Sequence, residues 1–88
     1  MRILQTSVFK RSAKRLKPVQ KKELDAAVRL IVTKPDTGQM KKGDLAGVRV
    51  HKFHMQKNQV LLAYTYEDNT LTLLALGAHE NFYRDLKR

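Results

Sequence analysis

The sequence predicts an α+β domain: a mostly antiparallel four-stranded sheet with an N-terminal αα-hairpin packed on one face. The order is β-α-α-β-β-β, with a short C-terminal helix or tail after the last strand. Three observations carry this. Two early stretches, Val8–Leu16 and Val19–Thr33, repeat apolar residues at helical spacing. Gln59–Tyr66 is an apolar run of strand length with Val60 to Tyr64 at its centre. Thr70–Leu76 is a nearly unbroken apolar run, as in a strand buried on both faces in the middle of a sheet. At 88 residues the chain is a single domain, 1–88, with a real but modest core.

Ile3–Thr6 reads as a short first strand, and Ser7 as the N-cap of the helix that follows. Phe9, Ala13 and Leu16 fall on one face of that helix, while Lys10, Arg11, Lys14, Arg15 and Lys17 occupy the rest. Lys and Arg are good helix formers that ordinarily just face water, so this basic face reads equally as a solvated surface or a contact surface. Pro18 breaks the first helix and suits the first turn of the second. There Leu24, Ala27, Val28 and Ile31 keep helical spacing, Ala26 and Leu30 widen the face, and Pro35 stops it. Asp36–Gly47 is loop-rich and contains neither a G-x-G-x-x-G nor a Walker pattern.

Val48–Met55 is a strand with imperfect alternation. Val48 and Val50 share a face with Lys52 and His54, whereas Arg49 and His51 share one with Phe53 and Met55. Either a bulge flips the register or the strand leaves the core halfway along. Lys57-Asn58 is the expected turn to the next strand, and Glu67-Asp68-Asn69 the connection to the last. Gly77 then releases the chain into His79, Glu80, Asn81, Phe82 and Tyr83.

Charge is the strongest compositional signal, with a formal net of +10 and a pI near 10.2. Residues 1–49 hold 13 Lys+Arg against 4 Asp+Glu, a net +9, while residues 50–88 hold 5 against 4, a net +1. Such a balance favours a polyanion or an acidic protein as partner over a surface that merely aids solubility. There is no cysteine, hence no disulfide or thiolate metal site, and no apolar run approaches membrane-spanning length. The expected location is cytoplasmic, with no membrane association.

The element order, together with Gly43-Asp44-Leu45-Ala46-Gly47-Val48-Arg49 and Leu76-Gly77-Ala78-His79-Glu80-Asn81-Phe82-Tyr83, resembles the RelE/ParE superfamily of toxins from bacterial type II toxin–antitoxin systems. The likeness covers nearly the whole chain, and the His-x-x-x-Tyr ending looks closest to the YafQ, YoeB and RelE ribonucleases. What the resemblance implies is a growth-inhibiting toxin that cuts messenger RNA on the ribosome and is neutralised by a cognate antitoxin. ParE members share the fold but poison DNA gyrase, so the alternative is a gyrase inhibitor without nuclease activity. By position, ribonuclease members place basic or imidazole groups where Lys52 and His54 stand, and an Arg or His followed by an aromatic where His79 and Tyr83 stand. Many also carry an arginine for the scissile phosphate on the next strand. Gln59–Tyr66 has none, so Arg49, Lys52 or Arg84 would supply that charge.

Metal-independent RNA cleavage uses the substrate's 2′-hydroxyl as nucleophile, with a base beside it, cations for the phosphorane and an acid for the leaving 5′-oxygen. Imidazole, ordinarily titrating near pH 6.5, serves as either acid or base. The expected catalytic set is His54 as base or hydroxyl-orienting group, His79 as acid, Lys52 for charge and Tyr83 for stacking or proton transfer; the acid and base labels are interchangeable. Arg49, His51, Phe82, Arg84, Lys10, Arg11 and Lys14 are the expected nucleic-acid contacts, although Phe82 also reads as core and His51 as an ordinary strand histidine. No cofactor and no metal is expected, since His51-x-x-His54 has no carboxylate or thiol partner at ligand spacing.

Overall fold

The computed structural model describes residues 1–78. The chain runs through β1 (Arg2–Gln5), α1 (Ser7–Lys14), α2 (Pro18–Thr33), β2 (Gln39–Met40), a short 3₁₀ turn (Gly43–Leu45), β3 (Arg49–Met55), β4 (Asn58–Glu67) and β5 (Thr70–Gly77). The strands form one sheet in the order β1-β5-β4-β3-β2, antiparallel except where β1 runs parallel to β5. The predicted α+β order stands, with one strand more than expected. That strand is β2, which pairs Gln39 with Val50 and Met40 with Arg49 inside the stretch read as loop. The C-terminal helix or tail, from residue 79 on, lies outside the described residues.

Thr6, not Ser7, caps α1. Its backbone is extended and its Oγ1 accepts the Phe9 N–H at 3.1 Å. The same hydroxyl donates to the Leu74 carbonyl at 2.6 Å, while the Thr6 N–H donates to the Leu73 carbonyl at 3.1 Å. One residue thus starts the helix and fastens it to β5, which Ser7 inside the first turn is not placed to do. Phe9 is buried, with Ala13 and Leu16 packed against the same cluster. Pro18 opens α2, and the Lys17 N–H before it donates to Gln20 Oε1 at 2.8 Å. Leu24, Ala27 and Ile31 are buried. Ala26 and Leu30, expected to widen this stripe, are exposed instead. At 100° per residue both fall more than about 100° from its centre, too far round to reach the sheet.

The sheet is apolar on both faces. Phe53, Met55, Val60, Leu62, Tyr64, Leu71, Leu73 and Leu76 meet the helices in the main cluster, while Val50, Leu61, Ala63 and Ala75 form a second cluster on the opposite face. This resolves the uneven alternation of β3. The strand neither bulges nor leaves the core: its register with β4 runs unbroken from Arg49↔Tyr64 to Met55↔Asn58. Val50 serves one apolar face and Met55 the other, so both parities carry hydrocarbon. The irregularity lies between β4 and β5, where Ala63 pairs with Ala75 but Tyr64 with Leu73, leaving Leu74 extra. Leu74 is the residue whose carbonyl Thr6 takes up.

Both hairpins turn through two residues at positive φ: Gln56 (52°) and Lys57 (74°), then Asp68 (52°) and Asn69 (58°). The first turn is therefore Gln56-Lys57 rather than Lys57-Asn58. Asn58 tolerates positive φ well and draws the sequence-based reading to itself, but it pairs with Met55 as the first residue of β4. The Gln56 N–H donates to Glu23 Oε2 at 3.1 Å, tying this turn to α2.

Candidate functional site

Lys52 and His54 are exposed neighbours on one face of β3, two residues apart and so about 7 Å from each other along the strand. They share parity with Val50, which belongs to the cluster on the face opposite the helices. Lys52 pairs with Leu61, and Leu61 with Gly77 at the end of β5. The chain therefore leaves the sheet two strand spacings, about 10 Å, from the Lys52 row. His79, Phe82, Tyr83 and Arg84 follow that exit in sequence and lie outside the described residues.

One residue of this face escaped the sequence reading. Gln59 is exposed and sits directly across from His54. Cross-strand partners stand about 5 Å apart at Cβ, so the Gln59 amide sets a donor and an acceptor beside the imidazole. The turn was the only signal available. Closing the hairpin at Gln56-Lys57 pairs His54 with Gln59, whereas closing it one residue later would pair His54 with Leu61.

Arg49 and His51 stand on the other face. Arg49 Nη1 donates to the carbonyls of Gly38 at 2.9 Å and Asp36 at 3.3 Å, fastening the loop after α2 to the start of β3. Its charge is turned away from Lys52 and His54, which leaves Lys52 as the cation that β3 presents on their face. His51 lies half-buried against Phe53, ring centroids 5.7 Å apart and planes 11° from parallel. Burial holds its imidazole below the ordinary value of 6.5. His51 and His54, three apart on a strand, point to opposite faces and cannot grip one metal ion together. Among the described residues no three His, Cys, Asp or Glu side chains gather as a metal site.

Beside Arg49, the Tyr64 hydroxyl donates to the Pro35 carbonyl at 2.7 Å and accepts the Gly38 N–H at 2.8 Å. Burial pushes this phenol above its ordinary value of 10, against the Gly38 N–H and the Arg49 guanidinium, which favour the phenolate. Arg49 and Tyr64 together hold the edge of the sheet from which Lys52 and His54 project.

Lys10, Arg11 and Lys14 are exposed on α1. Lys10 and Lys14, with Lys21 of α2, rim a groove of about 420 Å³ floored by Phe9, Leu24 and Leu73 on the helical side of the sheet. From Ser7 to Thr33 the chain holds 8 Lys+Arg against 2 Asp+Glu, so the helices carry net +6 of the overall +10. The groove cations Lys10, Lys14 and Lys21 and the Lys52–His54 pair thus occupy opposite sides of one sheet.

No curated protein sequence matches the chain. Several solved structures share its fold. A chain of the intact Escherichia coli RelBE toxin–antitoxin complex superposes with a TM-score of 0.72 at 12% identity, covering 90% of this chain and 96% of that one. A YoeB/ParE toxin from Agrobacterium tumefaciens gives 0.75 at 16% identity, over 90% and 99%. YafQ from E. coli gives 0.60 at 20% identity, over 90% and 94%. At such identities these likenesses speak for the fold. The sequence itself goes further: residues 3–87 match the model of the ParE-like toxin of type II bacterial toxin–antitoxin systems, and the chain belongs to that family.

Proposed function

We propose that this toxin is a metal-independent messenger-RNA endoribonuclease that acts on the ribosome in the cytoplasm and is held in check by a cognate antitoxin. The observation that supports the reading best is the pairing of Lys52 and His54 on one exposed sheet face, in a fold similar to those of the RelBE and YoeB/ParE toxin structures. Lys52 supplies the cation for the phosphorane, and His54 accepts the 2′-hydroxyl proton or orients that hydroxyl. His79 and Tyr83, which follow in sequence just past the end of β5, supply the acid and the stacking surface. The helical cations Lys10, Arg11 and Lys14 serve as long-range contacts to the polyanionic ribosome rather than as site residues. An antitoxin partner is supported by RelE and a Mycobacterium tuberculosis relative having been solved as toxin–antitoxin complexes.

A second reading has its own support. The site face of β4 carries Gln59, Leu61, Ala63 and Thr65 and no cation, and the matching family model is the ParE-like one. On that reading the protein inhibits DNA gyrase without cutting RNA. Primer extension on total RNA after brief expression separates the two. New discrete 5′ ends inside coding regions, absent with Lys52→Ala and His54→Ala and undiminished by EDTA with purified components, support the nuclease. Intact messages accompanied by a DNA-damage response overturn it.

A further inference from the structure

We propose that the groove between α1, α2 and β1 binds a medium-chain fatty-acid anion, with the alkyl chain on its apolar floor and the carboxylate among Lys10, Lys14 and Lys21. Ile3 of β1, Ala13 of α1, Leu24 and Val28 of α2, and Leu73 of β5 supply the hydrocarbon. Ile3 is 46% exposed, and Ala13 and Val28 are only partly buried, so the floor leaves apolar surface open to water. The volume of about 420 Å³ falls within the range of small-ligand sites, about 300–1,000 Å³. Lys10 and Lys14 stand one turn apart on α1, a like-charge spacing that weakens a helix. Lys21 reaches the same groove from α2, where Asp25 is the one carboxylate. None of the three ammoniums forms an ion pair or hydrogen bond with a described residue, not even Lys21 with Asp25 one turn on. The groove thus holds three cations against one anion, and an anionic headgroup relieves the repulsion among them.

Charge and size together select the occupant. A nucleic-acid backbone answers the lysines but leaves the hydrocarbon bare, and a second copy of a chain of net charge +10 brings further cations to a cationic rim. An acidic amphipathic helix answers both features, but a cylinder about 10 Å across occupies about this volume with a single turn of about 5.4 Å. A methylene takes roughly the share of one water molecule, about 30 Å³, so a single chain of about ten to fourteen carbons fits whole. Apolar burial holds such a chain, and the lysines fix which end of it faces outward. Lys10 and Lys14 are also cations assigned above to ribosome contact, so an occupied groove weakens that contact. This consequence rests on the nuclease reading; the binding itself does not.

The test titrates the whole isotope-labelled chain with hexanoate, octanoate and decanoate, each below its micelle concentration, and with decyltrimethylammonium as the cationic counterpart. We expect chemical-shift changes centred on Ile3, Ala13, Val28 and Leu73, with affinity rising about fourfold for each added methylene, the value of burying one. Replacing Lys10, Lys14 and Lys21 together by Gln should weaken decanoate about tenfold or more, and decyltrimethylammonium should not bind the parent. Equal binding of the cationic counterpart would mean that the lysines select nothing. A gain below about twofold per methylene would mean that the chain is not buried, and shifts centred on Lys52 and His54 would move the site to the other face. Each of these overturns the proposal. So does an acidic Glu-Leu helical peptide that shifts the groove residues and is not displaced by decanoate, which makes the groove a protein-docking surface. Decanoate binding by a protein that cuts no RNA keeps the site and removes only its consequence for the ribosome.

Discussion

Gly38 and Tyr64 are fitted to each other: the phenol accepts the Gly38 N–H at 2.8 Å, and a Cβ at Gly38 would lie 2.8 Å from that oxygen and 2.9 Å from Cε1. Tyr64→Phe leaves the Gly38 N–H and one acceptor site on the Pro35 carbonyl without their partner, at a cost of about 1–3 kcal/mol. Gly38→Ala also presses on the Val50 main chain at 3.1 Å, which has little room to yield. Because both changes act on one contact, the double variant is expected to lose less than the sum of the singles. Urea denaturation of the three proteins measures this, and strict additivity would show that the two residues do not act on each other.

Thr6 carries the corresponding load at the other end of the sheet. Thr6→Ala removes the cap on the Phe9 N–H and the donor to the Leu74 carbonyl together. A cap alone is worth about 1 kcal/mol, and the lost bond to the bulge adds to it, so a loss of about 1–2.5 kcal/mol is expected. Thr6→Ser keeps the hydroxyl and should recover most of the difference. If Thr6→Ala and Thr6→Ser melt together, the hydroxyl does neither job.

Much of this was legible in the sequence because the signals were local. Helical spacing located Phe9, Leu24, Ala27 and Ile31, which are buried, and the apolar run of β5 was visible as a strand filled on both faces. What failed depended on partners distant in the chain. The main-chain groups that pair Gln39 and Met40 with β3 leave no mark on their side chains, so β2 read as loop. The Leu74 bulge is defined only against β4. Arg49 read as a site cation because its three-residue spacing from Lys52 says nothing about face until the strand is known to be regular. Gln59 was hidden by the one-residue error in the turn.

The pH response of stability should carry the signature of His51. Its folded-state pKa is lowered by burial, so the folded protein binds the proton less readily than the unfolded chain. This group costs nothing well above pH 6.5; as pH falls through the unfolded value toward the lowered one, the unfolded state gains protons first and stability declines. Thermal melts between pH 8 and 5 are expected to fall more steeply for the parent than for His51→Phe, which keeps the stack on Phe53 without the titration. A parallel fall in both proteins would assign the acid sensitivity elsewhere.

Arg49 and Lys52, three residues apart and on opposite faces, give the sharpest test of the division between holding the fold and the proposed action on a substrate. Arg49→Ala strips donors from the Gly38 and Asp36 carbonyls and should lower the melting temperature by several degrees, since about 1 kcal/mol corresponds to about 4–8 °C in a domain of this size. Its growth arrest should track the amount of folded protein. Lys52 is exposed and makes no hydrogen bond to hold, so Lys52→Ala should melt with the parent yet lose growth arrest, while antitoxin-independent folding stays intact. On the proposed nuclease reading, Lys52→Arg keeps the charge that would meet the phosphate and should retain part of the activity, whereas Lys52→Gln should not. Plating efficiency after induction, set beside melts of the purified variants, tests the division. A fully toxic Lys52→Ala beside a well-folded but inert Arg49→Ala would place the working charge on the helical side of the sheet and move the site with it.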